Sequence, residues 1–179
     1  MPKPIRHRAR WRSGELTGAE AAQDAGGTVC PVFAAQDHYD AATDMVQLTL
    51  GTALGRTFGD VVRGVHEAMH ARQWSEVSLS TIFYKAGIAT RLPWLVALVA
   101  LAYFTAAWQL WPALSCFGAM LLLSLFKAAT ILNLEREAWD MTREWLTKHY
   151  LTTHLQWAEI ERMEKDGMRS YVEGFFNRK

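Results

Sequence analysis

Cysteine is scarce in this chain: 179 residues hold two, Cys30 and Cys116. Cys116 lies inside an apolar block, and a bond to the polar segment around Cys30 would have to reach into a bilayer, so neither a disulfide framework nor a secreted scaffold is expected. An excess of charge is also missing. Nineteen Lys and Arg face eighteen Asp and Glu, a net charge of +1, and a general electrostatic nucleic-acid binder would carry a clear basic surplus, so no direct nucleic-acid binding is expected. There is no glycine-rich phosphate loop, no Cys pair at metal spacing and no nucleophile elbow. The most telling gap runs from Leu92 to Phe126, 35 residues without one Asp, Glu, Lys or Arg. Soluble domains rarely tolerate this.

What is there begins with that block. From Leu92 to Leu132 it is too long for one span of about 20 residues and right for two. Gln109-Leu110-Trp111-Pro112 interrupts it with a polar amide, an interfacial aromatic and a proline suited to a helix's first turn. The expected fold is therefore an all-α membrane protein, a two-span transmembrane hairpin over residues 92–132 with amphipathic cytoplasmic helices before and after it. Trp94, Trp108 and Trp111 match interfacial aromatic belts, and Lys127 is expected to snorkel to the headgroups. The turn is uncharged while Arg72, Lys85, Arg91, Arg136, Arg143 and Lys148 flank the block. The positive-inside rule then places both termini in the cytoplasm.

Residues 1–37 read as a basic, extended arm able to clamp anionic lipid or an acidic partner, because no apolar core follows Lys3, Arg6, Arg8, Arg10 and Arg12. Residues 38–91 read as a cytoplasmic amphipathic helix, Tyr39 to Trp74, followed by an interfacial segment. Its apolar ridge runs through Val46, Leu50, Leu54, Phe58, Val61, Val65 and Met69. Gly51, Gly55 and Gly59 share one face of that helix, and a small-residue face is used for close helix packing. Residues 133–179 read as a helical rod with a tail, in which Trp145, Tyr171 and Phe175 are expected to pack on a partner.

One motif carries chemistry: His66-Glu67-Ala68-Met69-His70, an H-E-x-x-H. On a helix it sets two imidazoles one turn apart with a glutamate placed to act as general base beside zinc. A third ligand is required. No Asp, Glu or His lies between Glu76 and Glu135, leaving Glu76, His38, His149 or His154 to supply it. Without that ligand the motif reads as two polar histidines on an amphipathic helix, and no catalytic residue, metal or cofactor is expected.

The order of amphipathic helix, tight hairpin, the Ile131-Leu132-Asn133-Leu134-Glu135-Arg136-Glu137 exit and the Trp139-to-Trp145 segment resembles the IcmV-type two-span inner-membrane components of Dot/Icm type IV secretion and related conjugation systems. The resemblance implies a non-enzymatic scaffold or assembly subunit associated with larger integral-membrane proteins of the same complex. Two alternatives are a small membrane metalloprotease using His66, Glu67 and His70, and a homo-oligomeric pore.

Overall fold

The computed structural model describes residues 10–76 and 91–176, with the side chains of 91–93 and 171–176 outside that description. The expected interfacial segment of 75–91 and the first basic residues of the arm therefore fall largely outside the described residues. The chain is mainly helical: α1 (Gly18–Asp24), a hairpin of β1 (His38–Asp40) and β2 (Met45–Gln47), α2 (Leu50–Leu54), α3 (Phe58–Ser75), α4 (Arg91–Ala106), α5 (Leu110–His149) and α6 (His154–Phe176).

Residues 10–37, expected as an extended arm, are built into the domain. Thr17 and Glu20 form a capping box that starts α1, and Leu16, Ala21 and Ala22 are buried. Trp11 N–H donates to the His149 carbonyl at 2.9 Å, and Leu151 N–H donates to the Trp11 carbonyl at 2.7 Å. Arg10 donates to the carbonyls of Thr147 and Tyr150, placing a cation where the last carbonyls of α5 need partners.

The single helix expected from Tyr39 to Trp74 is four elements instead, β1, β2, α2 and α3. Asp40 closes a turn by accepting from Ala42 N–H and Thr43 Oγ1, and Asp44 takes a left-handed conformation at φ 54°. The result is an antiparallel pairing of Tyr39 with Val46. Thr49 caps α2, and a Thr57–Asp60 capping box opens α3. The glycine face is consequently not formed. Gly51 looks into open space, and Gly55 ends α2 in extended backbone. Close backbone approach occurs elsewhere, where α1 crosses α3. A Cβ on Gly64 would lie 2.0 Å from the Gly18 carbonyl oxygen, and one on Gly18 would lie 2.3 Å from that of Thr52.

The apolar block forms α4 and α5, packed on each other. Between them, Trp108 sits at φ 57°, while Trp108 N–H bonds the Thr105 carbonyl and Gln109 N–H bonds the Phe104 carbonyl. This is a Schellman-type helix end with tryptophan where glycine is usual. Of the described helices one, α5, is long and apolar enough to cross a membrane, and its apolar window is only 6% buried; α4 is apolar but shorter. Trp94, Trp108 and Trp111 are exposed. Helix α5 passes through two environments: Phe117, Leu121, Leu122 and Leu125 are exposed, whereas Thr130, Glu135, Ala138, Trp139, Thr142 and Leu146 are buried against the domain. The expected continuous rod breaks at Tyr150, and α6 folds back toward α3 and α5. Trp145, expected to meet a partner, is buried in the chain's own core with Phe58, Val61 and Leu146. Tyr171 and Phe175 lie in the part of α6 whose side chains fall outside the described residues.

Candidate metal centre

The capping box of α3 sets that helix's phase from its first turn. His66 and His70 then follow one turn apart on the side that meets α5. What they meet is Glu135. His66 Nε2 lies 3.4 Å from Glu135 Oε2, and His70 Nε2 lies 3.4 Å from Glu135 Oε1. One ligand atom from each of the three residues falls within 4.8 Å of the others.

At 3.4 Å each contact is a long hydrogen-bonded ion pair between a histidine and Glu135, and it is also close to the separation of about 3.3–3.5 Å between neighbouring ligands of tetrahedral zinc. Two imidazole nitrogens and one carboxylate are also a donor set that catalytic zinc uses, with a fourth position left open. The residues present therefore fit the ion.

The surroundings orient the ligands unequally. His70 Nδ1 faces Gln73 Oε1 at 3.0 Å, and Gln73 Nε2 donates to the Leu134 carbonyl at 2.9 Å. Because an amide oxygen can only accept, His70 Nδ1 donates to Gln73, so the proton that His70 gives up to a metal is the one on Nε2, facing Glu135. The same amide ties α3 to α5 one residue before the third ligand. His66 has no such support: its Nδ1 is buried with no hydrogen-bond partner, and its ring is held by stacking on Trp139, centroids 4.3 Å apart.

Electrostatics agree with the geometry. Burial opposes charge on His70, but the Glu135 carboxylate outweighs it and raises the imidazole above its ordinary value. Burial likewise works against ionised Glu135, and the two imidazoles overcome it, holding this carboxyl well below the usual range. Glu67, between the histidines, is pushed up by burial, with His66 and His70 pulling in the opposite direction. Such a shift moves a carboxylate toward general-base work near neutral pH. Glu67 and His66 line a cavity of about 280 Å³ together with Arg63, Trp139, Arg162, Met163 and Asp166.

The structure thus joins His66, Glu67 and His70 to a ligand the sequence reading passed over. Glu76 ion-pairs with Arg72, His38 faces the Gln36 carbonyl, and His149 stacks on Trp145. The usable signal was phase: Glu135 falls in step with the buried stripe Ala138, Thr142 and Trp145, where a solvated charge has no place. Comparisons with family models, curated proteins and solved structures find no match to this chain.

Proposed function

We propose that this protein is a membrane-anchored, zinc-dependent peptidase. The observation that carries the reading is Glu135 opposite both histidines of an H-E-x-x-H helix. His66, His70 and Glu135 would hold the ion, in place of the earlier expectation of no cofactor. Bound there, zinc supplies Lewis acidity, polarising a carbonyl and making water acidic near neutral pH. Glu67 acts from this chain as the base, taking a proton at its carboxylate and passing it to the leaving amine. Trp139 and the α6 residues Arg162, Met163 and Asp166 line the open cavity on which Glu67 faces.

The membrane half of the proposal places α4 and α5 as a two-span hairpin with the metal centre on the cytoplasmic side. Exposed apolar side chains on both helices support it. Hydrocarbon about 30 Å thick takes about 20 residues at 1.5 Å each, which carries α5 from Leu110 to about Ala129. Burial by the domain starts at Thr130. Glu135 follows six residues after Ala129, about 9 Å further along the axis, so hydrolysis takes place close to the headgroups. An assembly role in a secretion or conjugation machine rests on the sequence resemblance alone.

The test is zinc content and peptide hydrolysis of the full chain in detergent. One zinc per chain is expected, lost in Glu135→Ala and kept in Glu67→Gln, with zinc-dependent cleavage of unfolded casein abolished in both. Stoichiometric zinc in Glu135→Ala, or none in wild type after zinc incubation, would overturn the reading.

A further inference from the structure

We propose that the cavity beside His66 and Glu67 is a subsite for an anionic side chain, with Arg63 and Arg162 receiving the carboxylate of an Asp or Glu next to the scissile bond. This rests on the peptidase reading, since it is contact with His66 and Glu67 that makes the cavity a subsite.

Two guanidinium groups from different helices, Arg63 on α3 and Arg162 on α6, line the same space of about 280 Å³. Neither is neutralised well from within. Arg63 stands 3.6 Å from Asp60 Oδ1, beyond hydrogen-bond range, and the other oxygen of Asp60 is held by Thr57 in the α3 cap. Arg162 has no ion-pair partner within 4.0 Å among the described residues. The opposing charges in this lining are Glu67, which the peptidase reading uses as the base, and Asp166, one turn beyond Arg162 on α6, exposed and itself without an ion pair among the described residues. Like charges facing one cavity repel, and a carboxylate between them relieves the repulsion while offering two oxygens to planar donors. At the small end of ligand-site volumes, the space suits a side chain rather than a larger cofactor. Trp139 provides an apolar wall for its methylenes.

The test has a binding arm and a cleavage arm, both on zinc-loaded full chain. Binding uses Glu67→Gln protein and three blocked pentapeptides, alanine throughout except for a central Glu, Gln or Lys, followed by calorimetry. Both guanidinium groups are exposed, and ion pairs at the surface contribute modestly, so the Glu peptide is expected to bind about threefold to tenfold tighter than the Gln peptide. Arg162→Glu should reverse the order toward Lys with zinc content unchanged. Equal binding of the three, or a preference for Lys set by Asp166, overturns the proposal. Cleavage-site mapping of casein by wild type should show Asp or Glu enriched at one position flanking the cut. Tight Glu-peptide binding with no cleavage would leave the subsite standing and sink the peptidase reading. Cleavage without charge preference would do the reverse.

Discussion

Replacing Gln73 by leucine should weaken zinc binding far more than it weakens the fold. Leucine is apolar and one atom shorter, and can neither accept from His70 Nδ1, now 3.0 Å away, nor donate to the Leu134 carbonyl at 2.9 Å. The Leu134 carbonyl lies inside α5, whose own ladder keeps it satisfied. The His70 N–H does not have that refuge, and a buried donor left without an acceptor costs about 1–3 kcal/mol. Free to choose the other tautomer, His70 turns its proton toward Glu135. Loss of such an outer partner typically lowers metal affinity about 10- to 100-fold, or about 1.4–2.8 kcal/mol. Competition against a chromophoric chelator measures this directly. Gln73→Glu separates the two jobs: it still accepts from His70 but no longer donates to Leu134, so most zinc affinity should survive. In both variants cobalt substitution reports ligand geometry through its visible bands, which a change in packing elsewhere would leave alone. Zinc affinity of Gln73→Leu within threefold of wild type would refute the reasoning.

Four other outcomes are expected. Glu67→Gln should keep zinc and lose about 10²- to 10⁴-fold in kcat, read with any peptide the wild type cleaves. His70 is raised above its ordinary 6.5 by Glu135, so in the metal-free protein its stabilising contribution is complete below pH 6.5 and fades as pH climbs through the raised value. Zinc must displace that proton, so the increase in Tm on adding zinc should grow between pH 6 and 8; a zinc shift that is flat across that range would count against His70 as a ligand. Gly64→Ala should cost about 1–3 kcal/mol or prevent folding, because its methyl meets the Gly18 carbonyl. Gly51→Ala faces open space and should stabilise by up to about 1 kcal/mol, both measured by thermal unfolding.

The apolar block, its break at Gln109–Pro112 and the helix carrying His66 and His70 were legible because each depends on local pattern. The hairpin at His38–Gln47 was not, since Val46 also fits a helical ridge and only the Asp40 and Asp44 side chains reveal the turn. The capping threonines Thr49 and Thr57 were visible signs that one helix should be two, yet the glycine spacing drew attention past them. Glu135 was hidden for a different reason. It lies 65 residues from His70 with the whole apolar hairpin between, so its role depends on α5 returning to α3, which no local spacing encodes. Gly18–Asp24 departs from the extended arm expected there because capping and small-residue contact, rather than hydrophobicity, hold it in place.

Helix α5 is unbroken from Leu110 to His149, so the third ligand rides on the same rigid shaft as the apolar half. A side chain about 5–6 Å from a helix axis moves about 2 Å when the shaft turns by 20°, while metal–ligand distances hold to about 0.2 Å. Rotation of a few degrees at the apolar end of the helix is therefore enough to engage or release Glu135. In the membrane placement proposed above, bilayer thickness or a neighbouring span that twists α5 would act as a throttle on zinc occupancy, with the torque delivered along the backbone and no second ligand involved.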